Sequence, residues 1–411
     1  MRKIYLLLTV LTINISFAFS QTYLWKKHFT GTGQNVPLFM VSDNSGNIYI
    51  AGNFNGSITH DSYSFTTNGL QDMFLAKYSS TGSIIWIKQL GGTGTENVYG
   101  IALSPDQKFI YIGFTFNGTT DIDGWQLTAE GNDVAVAKFS NVGELDVLFP
   151  IASGADHQIN GNLAIDAEDN VLVLVNFSNQ ADIAGGNAKC FANEYSTRQN
   201  VLVKTDQWGN YIWHRMFETT SSLSYLRTVT TYGTDIYVSG MFSSSISFVN
   251  QTVNSSNSLR DGIIAKLNSN GEDVWVRRIM GNGNDIYVYR HNTDADGNVY
   301  FAGYFKCNQL TLDSTDAVLS NLHPTNTSSN NDMLIAKYNP DGTLQWVKTK
   351  GSSGDDKLYN IVASASNFAA VGSFGGNISS LGLTIMGGVD ACILVGNAAT
   401  GQINTATAAK G

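Results

Sequence analysis

Short stretches of alternating apolar and polar residues recur along the chain, each bounded by Gly, Asn, Asp or Ser. Alternation at a period of two turns one face of a pleated strand inward. One type of stretch reads NIYIAG at Asn47, FIYIGF at Phe109, DIYVSG at Asp235 and NVYFAG at Asn298. A second type starts on Asp and ends on Lys: DMFLAK at Asp72, DVAVAK at Asp133, DGIIAK at Asp261 and DMLIAK at Asp332. QNVLVK at Gln199 and DACILV at Asp390 are variants of it. Successive starts fall about sixty residues apart. Each unit has an apolar strand, a turn, the first alternating strand, a variable loop, the Asp-led strand, a Gly turn and a fourth strand. Four residues past that turn glycine stand Trp86, Trp213, Trp275 and Trp346, with Val147 and Thr405 in the other two units. Trp25, in YLWKKHF, matches the same strand near the N-terminus.

This period, with four short strands per unit, predicts an all-β chain folded as a single β-propeller over residues 21–411. The units begin near residues 36, 98, 159, 223, 285 and 357, which predicts six four-stranded blades. One blade cannot bury both of its faces, and a ring of blades can. Two segments compete for the fourth strand of the last blade. YLWKKHF would close the ring by joining the chain's start to its end; GQINTATA matches the turn but lacks the Trp. Closure removes exposed sheet edges, so the N-terminal strand is the expectation, with seven blades as the alternative. The repeated Trp most simply fills the space between neighbouring sheets, rather than forming a ring for stacking ligands.

The order of turn, GN-Y-V-G strand, D-A-F-V-A-K strand, G-x-x-x-W strand and GG-x-G-x-D loop resembles the bacterial-type β-propeller repeat (SBBP repeat) family. The resemblance runs from about residue 23 onward and is strongest over 43–100 and 294–356. It implies a propeller in a secreted or surface protein and supplies no catalytic residues. The G-x-x-x-W strands and ATGQINTA at Ala399 faintly resemble the pyrroloquinoline quinone-dependent dehydrogenase repeat. That family usually has eight blades, against the six counted in this chain.

Composition narrows the function classes. Charged residues make up 14% of the chain and the net charge is -9, which argues against a nucleic-acid partner. Arg2 and Lys3, an apolar run over 4–17 and Ala18-Phe19-Ser20 read as a signal peptide, residues 1–20, with the mature chain from Gln21. No Cys follows that run to carry a lipid, and no later segment is apolar enough to span a bilayer. The expectation is a secreted, extracellular monomer, or a periplasmic or cell-surface one in a bacterium. Cys190, Cys307 and Cys392 are odd in number and widely spaced. One pair could bridge, but free or partly buried thiols are the simpler reading. Asn-X-Ser/Thr sequons stand at Asn55, Asn117, Asn176, Asn250, Asn254, Asn326 and Asn377.

None of the six histidines sits in a nucleophile motif, and neither H-E-x-x-H nor a Walker loop is present. The glycine-rich loops GGTGTEN and GNGND lead into strands, so they lack the helix terminus that cradles phosphate. DADGN at Asp294 resembles the front of a calcium loop, but lacks the third acidic position and the later Glu. Calcium is therefore a minor option and no other cofactor is expected.

The loops between units carry Glu96, Asp156, Asp285, Asp355 and Asp356, and in a propeller they gather around one mouth of the channel. Aligning the units puts Leu38, Gly100, Asn162, Arg227, Arg290 and Asn360 at one position of the innermost strand. Arg227 and Arg290, with His291 beside them, would face a shared mouth, either pairing with the loop aspartates or gripping an anionic or sugar-like ligand. The leading function is a non-catalytic binding or scaffold module for a protein or carbohydrate partner, with recognition on loops that vary over a repeated frame. The alternative is a channel-face lyase, lactonase or glycan hydrolase, which would need paired carboxylates or a metal.

Overall fold

The computed structural model describes residues 25–154, 157–158, 162–193, 198–256, 259–282, 285–307, 309–313, 317–320 and 330–409. The leader-like residues 1–20, Asp156, Asn326 and much of the loop at 311–331 lie outside the described residues. Apart from one 3-10 turn at Ser379–Leu381, every regular element described is a strand.

In the first sheet Asn35–Ser42, Ile48–Phe54, Asp72–Tyr78 and Ile84–Gly92 pair antiparallel in chain order. The order repeats in a second sheet (Glu96–Leu103, Phe109–Phe116, Asp133–Ser140, Leu145–Ser153). The third splits its first strand into His157–Gln158 and Leu163–Ile165, ahead of Val171–Phe177, Gln199–Thr205 and Tyr211–Phe217. The fourth is Tyr225–Tyr232, Asp235–Phe242, Asp261–Leu267 and Asp273–Gly281, and the fifth Ile286–Thr293, Val299–Phe305, Asp332–Tyr338 and Leu344–Lys350. The sixth is Lys357–Ala363, Asn367–Phe374, Asp390–Asn397 and Ile403–Ala409.

The last strand corrects one expectation. Ile403–Ala409, not the N-terminal segment, pairs with Asp390–Asn397. A tight turn makes this pairing local: Asn397 Oδ1 accepts the N–H groups of Ala399 and Thr400, and Gly401 takes φ +69°. Closing so short a loop costs far less chain entropy than bringing the two ends of the chain together.

First strands of consecutive sheets pack side by side, from Asn35–Ser42 against Glu96–Leu103 through to Ile286–Thr293 against Lys357–Ala363. This is the stacking of a β-propeller. No comparable packing joins the sixth sheet to the first among the described residues. Between the first two sheets Tyr49, Ala51 and Leu75 meet Ile110, Ile112 and Phe114, all buried. Asp72–Tyr78 is buried along its whole length, because a neighbour covers each face of a middle strand.

The repeated Trp is an interlock between units. Its indole N–H donates to a carbonyl in the following unit's Gly turn: Trp86 to Asn141 at 3.3 Å, Trp213 to Ser269 at 3.0 Å, Trp275 to Pro340 at 2.9 Å and Trp346 to Ala398 at 3.1 Å. The third-strand lysine beside it donates to the same oxygen from Lys77, Lys204, Lys266 and Lys337. The indole lies on the turn glycine. A Cβ at Gly342, whose φ is +81°, would stand 2.8 Å from the Trp275 ring. Glycine is thus required twice over, for its left-handed backbone and for the close approach. The loop between the second and third strands also reaches back, so that Thr119–Ile122 pairs with Gly91 and Gly92 of the preceding sheet.

A candidate ligand-binding face at the first strands

Each first strand that is described through this point carries a β-bulge, which sets two residues opposite one and re-aims a side chain. The extra residues are Leu38, Tyr99, Arg227, Tyr289 and Tyr359. The alignment made from sequence is therefore split. Leu38 and Arg227 are bulge residues, whereas Gly100, Arg290 and Asn360 lie one position later. Asn162 shares their register, immediately before the Leu163–Val173 pair. A bulge adds one residue without disturbing the alternation on either side, so the apolar pattern alone cannot say which residue is extra.

The fourth, fifth and sixth sheets bring tyrosines and arginines together here. The Arg227 guanidinium lies 4.8 Å from the Tyr289 ring and 5.8 Å from that of Tyr225. Tyr289 meets Tyr359 edge-on at 5.3 Å, and Tyr287 stacks on Tyr304 at 4.5 Å. Arg198 donates to the Tyr225 hydroxyl at 2.9 Å, and Arg260 to that of Tyr287 at 2.6 Å. Tyr359 is exposed, while Tyr225, Tyr289 and Arg227 are half-buried. The tyrosines were missed from sequence. Tyr287 and Tyr289 in IYVYRH read as ordinary strand residues until the bulge re-aims the second of them.

Arg227 and Arg290 do come together: Arg290 Nη1 donates to the Arg227 carbonyl at 3.4 Å. Arg290 also lies 5.6 Å from the Phe39 ring of the first sheet. Burial, with Arg227 as a like charge, lowers its pKa to about 10, which still leaves it a cation at neutral pH. Neither arginine forms an ion pair with a carboxylate among the described residues, and Arg227 Nε is buried without a partner. The loop acids are engaged elsewhere. Asp285 pairs with Arg260 at 3.2 Å. Asp356 is buried and accepts from the Ser352 hydroxyl at 2.8 Å and the Gly375 N–H at 3.1 Å, tying down its own loop.

Three further candidates serve the frame. His291 is buried, with Nδ1 2.6 Å from the Ser239 hydroxyl and Nε2 2.9 Å from that of Thr230. Burial and the neighbouring Arg290 charge push it down to about 3, so it is a neutral link between the fourth and fifth sheets, not part of the mouth. Asn162 Oδ1 accepts the Val229 N–H at 2.9 Å and joins the third sheet to the fourth. Glu96 is fully buried beside Asp72, and burial followed by that charge raises it to about 8. Asn360 alone of the polar first-strand candidates after the bulge is exposed, and it accepts the Ile361 N–H at 2.9 Å.

The turn carboxylates behave alike. Asp294 accepts the N–H groups of Asp296 and Asn298 and, at 3.0 Å, the Tyr300 hydroxyl. A cation there would have to displace donors that already hold the turn. No group of three or more His, Cys, Asp or Glu placed to hold a metal occurs among the described residues. Asn176, in one of the sequons, is buried against Asn200, so that site is closed to modification in the folded chain. The three cysteines are free and buried.

No family model matches this chain. An alignment 106 positions long, covering 22% of this chain, is 31% identical to an uncharacterized WD repeat-containing protein of Acanthamoeba polyphaga mimivirus, and spans 8% of that protein. Among solved structures, the Plexin A4 extracellular region aligns over 90% of this chain and 42% of its own, with 8% identity and a TM-score of 0.42. The β-propeller domain of Myceliophteria thermophila Cps50 (Swd1) aligns over 84% and 96%, with 10% identity and a TM-score of 0.33. No helix among the described residues is long and apolar enough to cross a membrane.

Proposed function

We propose that this protein is an exported, non-catalytic β-propeller that binds an acidic carbohydrate, or a protein bearing one, at the tyrosine–arginine face. One observation carries the reading. Arg227 and Arg290 meet among tyrosines with no carboxylate partner among the described residues, while nearby Asp285 is already paired with Arg260. An unneutralised guanidinium favours a carboxylate ligand, and the tyrosine rings supply flat apolar surface with polar tips for a sugar. Asp285 is paired with Arg260, Asp355 with Lys357, and Asp356 and Glu96 are buried, which disfavours these loop acids as a carboxylate pair for hydrolysis. The six complete sheets serve as blades that hold the three contributing first strands rigid, and the leader-like N-terminus supports export.

Titration calorimetry with a uronic-acid oligosaccharide tests the reading. The double variant Arg227→Ala and Arg290→Ala should lose at least tenfold in affinity, and a neutral oligosaccharide of the same length should bind more weakly to the native protein. Unchanged binding of the acidic sugar by the double variant would refute the assignment of the site.

A further inference from the structure

A second feature lies where the described chain begins, against the first unit. Residues 25–30 do there what a fourth strand does elsewhere. Trp25 Nε1 donates to the Ser80 carbonyl at 3.2 Å, as Trp86 does to Asn141 and Trp275 to Pro340. The Trp25 ring stacks on Tyr78 as the Trp275 ring meets Tyr338. Thr30 bridges Thr59 of the first unit's hairpin, matching Gly91 with Asp121 one unit later. Phe29 packs on Phe74, and the His28 carbonyl meets His60 Nδ1 at 3.0 Å, so the segment is firmly seated.

The other three strands of such a sheet do not occur beside it among the described residues. No strand pairs with residues 25–29 among the described residues, and the sixth sheet already has its own fourth strand. At four other clamps a third-strand lysine shares the carbonyl with the indole; Ser80 O has Trp25 and no lysine among the described residues.

The two flanking faces are uncovered. Met40 is 66% exposed, whereas Ile101, its counterpart one unit later and packed under the first sheet, is 8% exposed. On the other flank Val371 and Ile393 are 42% and 44% exposed, whereas Ala302 and Ile335, their counterparts under the sixth sheet, are 0% and 2% exposed. The sixth sheet presents Ala369 and Ala391 where the fifth presents Tyr300 and Met333, so it leaves room for larger side chains from whatever covers it.

We propose that this opening is a docking site for three antiparallel strands of a partner polypeptide that carries the same repeat, which pair with residues 25–30 to complete a seventh sheet. Residues 25–29 run beside the first unit with an open backbone edge among the described residues, and such an edge is a template for a pairing strand. The Ser80 carbonyl, which has Trp25 and no lysine among the described residues, specifies the docking strand: Asp-led, apolar on both faces, with a lysine five residues after the Asp, as in Asp72 to Lys77. Strand addition of this kind draws affinity from main-chain hydrogen bonds and specificity from alternate side chains.

The test appends a copy of residues 94–140, the first three strands of the second unit, through a flexible linker after Gly411 of the mature chain. The expected result is at least tenfold slower hydrogen exchange at the amides of 26–29, a higher melting temperature, and loss of both gains when Trp25→Ala is introduced. Unchanged exchange at 26–29 with a protease-sensitive appendage would overturn the proposal. A second measurement does not depend on the fusion folding. In the unfused monomer the amides of 26–29 should exchange fast and Met40 should oxidise readily with peroxide. Slow exchange and a protected Met40 would show the opening already shut by the sixth sheet. A concentration-dependent dimer abolished by Met40→Glu would assign the face to a second copy and overturn the partner.

Discussion

Glu96 offers the most direct check on the packing. Its carboxyl is fully buried at the start of the second sheet, next to Asp72. Burial first, and the Asp72 charge second, raise its pKa from 4.5 to about 8. The folded state therefore holds this proton more tightly than the unfolded chain does. Its contribution is fully present below pH 4.5 and is lost as pH rises toward 8, at about 1.4 kcal/mol per pH unit. By pH 7 the loss is about 3 kcal/mol, a large part of the stability of an ordinary domain. Glu96→Gln keeps the size of the side chain and removes the charge. Urea unfolding followed by circular dichroism at pH 5, 6, 7 and 8 should show the two proteins drawing apart, with the variant gaining about 3 kcal/mol relative to native from pH 5 to pH 8. Asp72→Asn should shrink that gap by removing the like charge. A difference between Glu96→Gln and native that stays constant from pH 5 to pH 8 would refute the argument.

Other consequences are simpler. Trp275→Ala should cost about 3–5 kcal/mol, and Trp275→Phe about 1–2 kcal/mol by leaving the Pro340 carbonyl to Lys266 alone; denaturant midpoints separate the two. His291, held neutral with its pKa near 3, should show no ring titration by NMR between pH 5 and 8. Its lowered pKa stabilises the fold above pH 6.5, and that stability is lost as pH falls from 6.5 toward 3, so His291→Gln should flatten the acid limb of the stability curve. Cys190, Cys307 and Cys392, buried with thiols pushed up to about 11, should resist a thiol reagent at pH 8 until the chain is unfolded.

The strand unit was legible in the amino-acid order because its causes are local. Alternation in DMFLAK, the glycines of the third turn and the Trp four residues later act within a few residues of one another, and they recur at the positions where the sheets form. The role of Lys77, Lys204, Lys266 and Lys337 was not legible, since the acceptor of each lies a whole unit away. The same distance explains the site. Arg227 and Arg290 could be named from their polarity inside an apolar strand. Their true registers differ by one because a bulge is decided by how the first strand meets its neighbours. Tyr289 and Tyr359 join the face for that reason alone.

Residues read as loop acids changed character on folding. Glu96 and Asp356 are buried, and His291 turns toward Ser239, because what covers a side chain is set by the next sheet and not by its chain neighbours. The sequence by itself thus determined the all-β unit, its period and the interlocking residues, through periodicity and turn chemistry. Only the tertiary structure decided which terminal strand completes the sixth sheet, which residues the bulges turn outward and which apolar faces are left uncovered. Those depend on pairing and burial between segments tens to hundreds of residues apart, where the local pattern carries no information.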